Sequence, residues 1–345
     1  MSTFIQLHML TSYPPANLNR DDLGRPKTAT MGGAERLRVS SQSLKRHWRT
    51  SSVFEETLAG HVGTRTKRLG QEVHDRLVEA GIKDKDAKEW AGKIAGVFGK
   101  LQKDGLHIEQ LAHVSPEEWE AVNQLAETLI AEQRAPTDEE LKLLRHAPAA
   151  ADIALFGRML ADSPSYNVEA ACQVAHAITV HRVVVEDDYF SAVDDLNTGE
   201  EDLGAGHIGE TGFAAGLFYS YLCIDRDQLV DNLDGDQALA DRALQALTEA
   251  AVTVSPAGKQ NSFGSRAYAS YVLAEKGGQQ PRSLSVAFLK PVQAQDHGDA
   301  AVEALEKQQD NFEKVYGACA DERYRLDALK GKGSLDELKR FVTAH

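Results

Sequence analysis

The sequence predicts an α+β fold, a sheet and helices of the ferredoxin-like kind carrying large insertions. Three observations lead there. The chain opens with apolar residues Phe4, Ile5, Leu7 and Met9 set against Gln6 and His8, the alternation of a strand. From Val53 to about Leu144 the apolar period becomes helical. Strand-like and helical runs then alternate through the rest of the chain. At 345 residues it is long enough to bury a large core as one elaborated domain or two, and 42% hydrophobic with 26% charged residues is ordinary globular composition.

Taken in order, Thr3 to Leu10 is the first strand, ended by Pro14-Pro15. Residues 17–49 follow as a polar loop, a Gly32-Gly33 turn and a helix start. Ser40 or Ser41 suits the N-cap, because a hydroxyl accepts an otherwise unpaired first-turn N–H. Beyond it Gln42, Lys45, Arg46 and Arg49 fall on one face, while Leu44 and Trp48 fall opposite and point to a core. A cationic face together with a free helix N-terminus is suited to phosphate. Arg20, Arg25, Lys27, Arg36 and Arg38 lie just upstream, in a segment able to fold back onto the helix.

Within the helical insertion, Asp84 to Lys103 has a 3.6-residue apolar period. Ser115-Pro116-Glu117-Glu118 is a capping box with Pro at the first helical position, opening a helix to about Glu132, and Thr137-Asp138-Glu139-Glu140 predicts another. Asp152 to Met159 reads as a strand, Val168 to Ala177 as a helix and Thr179 to Val185 as a strand. Residues 191–212, rich in glycine and acids, make a poor core and a good projecting arm or hairpin. Phe213 to Ile224 is a strand, Asp236 to about Val252 a helix, and Ser283 to Leu289 a strand. Helices near 299–318 and 334–344 close the chain.

The net charge of −14 is unevenly spread. Residues 1–70 hold 11 Lys+Arg against 5 Asp+Glu, and the remaining 275 hold 27 against 47. A basic track on an acidic body suits one nucleic-acid strand held in a defined place, not indiscriminate coating of DNA. Cys172, Cys223 and Cys319 are isolated, which suits a reducing cytoplasm and argues against structural zinc. The first apolar run is too short for a signal peptide or a membrane span.

Gly204 to Gly209 matches G-x-G-x-x-G, but acids precede it and another glycine follows, so a dinucleotide site is rejected. His176 and His181 lack carboxylates at ligand spacing and read as packed or surface residues. Asp187-Asp188 and Asp194-Asp195 fall where turns are expected. Nothing requires an enzyme, a metal or a cofactor. In Val254 to Phe263 a Pro-Gly turn presents Lys259, Gln260 and Asn261, one cation and two amides suited to phosphate and ribose.

Leu18-Asn19-Arg20-Asp21-Asp22, Lys27, Gly32-Gly33 and Arg38 to Arg46 closely resemble the CasC family, the RAMP-type backbone subunit of the type I-E CRISPR surveillance complex Cascade. Ala154 to Met159, Ala192 to Leu196 and Pro256 to Gln260 match in the same order, whereas 55–145 and the last sixty or so residues match loosely. Met31 stands where an aromatic is frequent, and Ala34-Glu35 where a more basic stretch is common. The resemblance implies a modified RNA-recognition (ferredoxin-like) palm in three parts, 1–54, 148–190 and 213–345. It also implies a helical fingers insertion at 55–147 and a β-hairpin thumb at 191–212. It implies several copies stacked head-to-tail along the CRISPR RNA, target DNA reached through the guide, contacts with other Cascade subunits, and no membrane. Arg20, Lys27, Ser40, Gln42, Lys45, Arg46 and Arg49 would hold the guide backbone with Lys259, Gln260 and Asn261. Ile208 would lie near the thumb tip, and Met159 would be the apolar wedge at a kinked step. Two other readings stay open: a metal-dependent RNA endonuclease of a related effector complex using Asp21 or Asp22, and a generic single-strand binder.

Overall fold

The computed structural model describes residues 2–192 and 207–344. In chain order its strands are β1 (Phe4–Ala16), β2 (Thr28–Met31), β3 (Ala34–Val39), β4 (Thr64–Thr66), β5 (Ala112–Val114), β6 (Cys172–Val174), β7 (Ala177–Thr179), β8 (Glu186–Ala192), β9 (His207–Asp225), β10 (Ala269–Gly277) and β11 (Glu322–Asp327). The helices are α1 (Ser41–Arg49), α2 (Ser52–Thr57), α3 (Leu69–Glu79), α4 (Asp84–Gly96), α5 (Pro116–Glu132), α6 (Ala151–Phe156), α7 (Arg226–Asn232), α8 (Gln237–Thr253), α9 (Gln260–Phe263), α10 (His297–Tyr316) and α11 (Leu335–Thr343). Among the described residues one antiparallel sheet runs β11-β10-β1-β9-β7-β3-β2, with β6 and β8 also paired to β9, and β4 pairs with β5 apart from it. The architecture is mixed α+β around this sheet.

β1 is central because both of its faces are buried. Ile5, Leu7 and Met9 join the largest core, which α1, α2, α6, α7, α8 and α11 cover. Leu10 on the other face packs with Tyr219, Leu273, Phe288 and Leu305 beneath α10. The alternation in the sequence thus separates two covered faces rather than core from solvent. The polar residues on the second face are satisfied. Gln6 accepts from the Tyr221 hydroxyl and the Arg282 N–H, each at 2.9 Å, and His8 meets Tyr219 at 2.9 Å and Glu275 at 3.2 Å.

Residues 69–144 close a second core of their own, with Leu69, Leu77, Ile94, Phe98 and Leu129 buried among α3, α4 and α5. The capping box of α5 forms in both directions: Glu118 N–H donates to Ser115 Oγ at 3.2 Å, and Ser115 N–H to Glu118 Oε2 at 3.0 Å. Glu118 is fully buried and also takes Arg158 Nη1 at 2.7 Å, fastening this lobe to the segment after α6.

Several elements differ from the sequence reading. β1 runs on through Pro14-Pro15 to Ala16, with a register shift after Tyr13 that accommodates the prolines. Asp152 to Phe156 is helical, not extended; the run is buried nearly throughout, and an all-buried run has no periodicity to read. The segment predicted as a helix at 168–177 instead supplies β6 and the start of β7, and the extended ladder of the predicted strand at 179–185 stops at Thr179. The cap at Thr137 forms, with Glu140 N–H donating to Thr137 Oγ1 at 3.4 Å, but a turn follows rather than a helix. Arg134 grips Glu140 from outside that turn at 2.7 Å. Ser285–Phe288 is a 3-10 turn, and the strands of that region are β10 and β11. Asp187 and Asp188 lie on the β8 ladder, not in a turn.

Candidate nucleic-acid interface

The loop between β1 and β2 is built by short polar side chains. Buried Asn17 donates from Nδ2 to the carbonyls of Gly24 and Gly212, each at 2.9 Å. Asp21 Oδ1 accepts from the N–H groups of Leu23 and Arg25 at 2.9 Å, and Asn19 Oδ1 accepts from Ser40 N–H at 2.9 Å. The Asp21 contacts are an Asx-type closure, in which a side chain replaces a backbone partner, while Asn17 and Asn19 tie the loop to distant segments. They set Arg20 and Asp22 outward and place the loop against the start of α1.

Ser40 is the N-cap of α1, its Oγ accepting from Ser43 N–H at 3.3 Å. Leu44 and Trp48 enter the core, so Gln42 and Arg46 are exposed on the far face. Lys45 Nζ stands 5.9 Å from the centre of the Phe156 ring, a cation–π approach that orients without neutralising it. Arg49 is differently placed: its Nη1 lies 3.3 Å from buried Asp152 Oδ2 and 3.3 Å from the Gly63 carbonyl.

The Pro-Gly turn comes directly onto the loop. A Cβ on Gly258 would sit 2.3 Å from the Leu18 carbonyl oxygen, so the approach requires glycine. Together Arg20, Asp22, Ser43, His47 and Gly258 line an open cleft of about 560 Å³. Lys259 has φ +47° and its Nζ donates to Thr211 Oγ1 of β9 at 2.6 Å, so this cation is fastened to the hairpin root. The Gln260 amide, turned so that its oxygen meets the N–H groups of Ser265 and Arg266 at 2.9 and 3.2 Å, braces its own turn, and Asn261 is exposed.

The structure therefore brings Arg20, Ser40, Gln42, Lys45 and Arg46 around one loop and helix, with the 257–261 turn beside them. Lys27 is tied in through its backbone, its N–H donating to the Asn19 carbonyl at 2.8 Å. Arg36 does not belong to this track: it is fully buried, donating to the Thr179 and Phe288 carbonyls at 2.8 and 3.0 Å, and burial lowers its pKa. Arg38 remains near the surface at 2.8 Å from His176 Nδ1. Burial first, then Arg38 and Lys27, push the His176 pKa down. Met159 lies elsewhere, 78% exposed beside a cleft lined by Phe98, Ile108 and Leu111. Ile208 pairs with Ser191 on the β8–β9 ladder, and the segment that would form the tip of this arm, 193–206, falls outside the described residues.

Asn17 is not singled out in the sequence reading and Asn19 appears there only within the family-like stretch, because their contacts to Gly212 and Ser40 are distant in the chain. Among the described residues no group of three His, Cys, Asp or Glu side chains could hold a metal ion, and no helix is long and apolar enough to cross a membrane.

An antiparallel sheet with a capped, cation-faced helix, a helical lobe and a long hairpin defines a mixed α+β class also seen in subunits of CRISPR surveillance complexes. The chain is similar to one in a structure described as "CRISPR RNA-guided surveillance complex, pre-nicking", with TM-score 0.82 and 29% identity over 99% of both chains. It is also similar to one described as "CRISPR RNA-guided surveillance complex", with TM-score 0.73 and 25% identity over 99% of this chain and 100% of the other. The CT1975-like protein family matches residues 5–340, and the chain belongs to that family. No curated protein gives a significant match.

Proposed function

We propose that this protein is a non-catalytic backbone subunit of a type I-E Cascade complex, stacking in several copies along the CRISPR RNA. The observation that carries this reading is an open cleft that Arg20 lines together with Ser43 and His47 of α1, with Gln42 and Arg46 exposed on the same capped helix. Such an arrangement grips phosphates and leaves base edges free, so that sequence choice falls to pairing between the guide and target DNA. The palm, fingers and thumb of the CasC family correspond, in this reading, to the main sheet, the lobe with its own core and the β8–β9 hairpin. Met159 is then the apolar wedge at the kinked step, and Ile208 belongs to the thumb near its tip. A heterologous, non-closing contact between copies gives the open filament.

The test is co-expression with a CRISPR array and the neighbouring subunits, followed by size-exclusion chromatography and extraction of bound RNA. Wild type yields a large complex with discrete guide-length RNA, and Lys45→Ala/Arg46→Ala loses both. A wild-type monomer free of RNA refutes the reading. Asp21 has a role in the loop itself, its Oδ1 accepting from two backbone N–H groups. For Asp22→Ala, RNA integrity in magnesium is expected to match wild type; wild-type cleavage abolished by this change would make the chain a nuclease.

A further inference from the structure

The cations at the end of α1 do not stop at the helix. Arg49 bonds the Gly63 carbonyl, and Gly63 N–H donates to Asp152 Oδ1 at 2.8 Å, so the entry to β4 is fastened to the last turn of α1. Two residues on, Arg65 occupies the middle of β4, in register with His113 of β5, its side chain exposed. The carboxylate that acts on this group is Asp152, fully buried and already shared by Arg49, Gly63 N–H and His113 Nε2, the last at 2.7 Å. Desolvation first, then Arg49 and Arg46, lower the Arg65 pKa, and Asp152 opposes them.

Arg49 thus anchors on one buried acid, Arg65 stands two residues beyond the Gly63 that the same acid holds, and Arg46 is exposed on α1 three residues before Arg49. Arg49 is paired with that acid, while the Arg46 and Arg65 side chains have no ion pair among the described residues. Exposed like charges are free to splay apart, but β4 is pinned on both sides, by Asp152 and by its ladder to β5. A local cation excess in fixed geometry is neutralised best by a polyanion, and the planar guanidinium fork matches a phosphate.

We propose that the phosphate track leaves α1 and continues onto β4, where Arg65 holds a phosphate of the RNA strand next to the one held by Arg46. Arg49 and Asp152 are the positioning pair that sets the spacing. The assignment rests on the guide-RNA reading above.

The experiment measures binding of a labelled guide-length RNA to the full chain across a salt series, for wild type, Arg65→Gln, Arg65→Ala and Lys45→Ala/Arg46→Ala, with folding checked by circular dichroism. On single strands the slope of log K against log salt falls by about 0.7 for each phosphate that the protein no longer neutralises. Both Arg65 variants are expected to drop by about one such step and to bind several-fold more weakly, with an unchanged spectrum. Wild-type slopes in both Arg65 variants, beside a reduced slope in the double variant, overturn the Arg65 assignment and leave the guide-RNA reading intact. Wild-type slopes in all variants overturn both. Unchanged RNA affinity with failed assembly of copies would assign Arg65 to an acidic protein surface and also overturn the proposal.

Discussion

Asn17 commits both amide hydrogens to backbone carbonyls 188 residues apart, Gly24 in the polar loop and Gly212 at the hairpin root. Arg25 repeats the connection at the surface, its Nη1 2.9 Å from Asp187 Oδ1 of β8, and Lys259 adds a third through Thr211. The loop that presents Arg20 is therefore also the loop that sets the hairpin. Only the Asn17 tie is buried, so it outweighs the exposed ion pair, which contributes about 0–1 kcal/mol. Asn17→Ala leaves two carbonyls without their partner and is expected to cost about 2–4 kcal/mol. Urea unfolding checks this, and an unchanged midpoint would remove Asn17 from the role. Gly258→Ala forces a methyl group against the Leu18 carbonyl and is expected to lower stability by about 1–3 kcal/mol in the same assay.

At the scale of elements, α1 depends on its cap more than on its composition. Its exposed face carries cations that repel one another and its buried anchors are Leu44 and Trp48, so the first turn rests on Ser40 and on the Asn19 contact behind it. Ser40→Ala is expected to cost about 1 kcal/mol in thermal unfolding. It should weaken RNA binding less than removal of Lys45 and Arg46, because the helix N–H groups remain in place. The β2–β3 hairpin shows a different dependence. Gly32 and Gly33 turn with φ of +60° and +74°, and a Cβ on Gly32 would fall 1.6 Å from the Leu289 carbonyl oxygen. This turn is legible as Gly-Gly in the sequence; its packing against residue 289 is not.

Across the whole molecule, one buried charge network joins β1, β10, β11 and α10. Glu275 is fully buried, meets His8 at 3.2 Å and Arg323 Nε at 2.8 Å, and is gripped by Arg282; Arg323 also reaches Glu313. Burial alone would raise the Glu275 pKa, but His8 and Arg282 outweigh it and hold the carboxyl well below its ordinary value of 4.5. For His8 burial prevails, and its pKa lies below the ordinary 6.5. Both shifts act in one direction. The unfolded chain binds the extra proton on His8 as pH falls through 6.5, and on the carboxylate as it falls through 4.5, so stability present above these values is lost in two steps on acidification. Unfolding midpoints measured from about pH 8 to about pH 4 should be flat at first and then fall; a flat acid limb contradicts the network's role. Glu275→Gln strands two arginines and is expected to cost about 3–5 kcal/mol at neutral pH.

The sequence by itself determined what is local. The α5 capping box, the cap and cationic face of α1, the Gly-Gly turn and the separate helical lobe all rest on spacings of a few residues, where propensity and periodicity act. The residues that resemble the CasC family are likewise contiguous stretches. Tertiary structure decided the rest, because burial on two sides erases the period that sequence reading uses. That is why 152–156 shows no readable period and why β10 has no clear sequence signature, while the short, partly exposed β6 and β11 are strands through their pairing with β9 and β10. It also sorted the cations: Arg36 went to the interior, Arg49 to Asp152 and Lys259 to Thr211, while Arg20, Lys45 and Arg46 kept their charge toward solvent. No spacing in the chain distinguishes these arginines and lysines; their partners lie tens to hundreds of residues away, and long-range contacts alone determine which charges are neutralised within the fold.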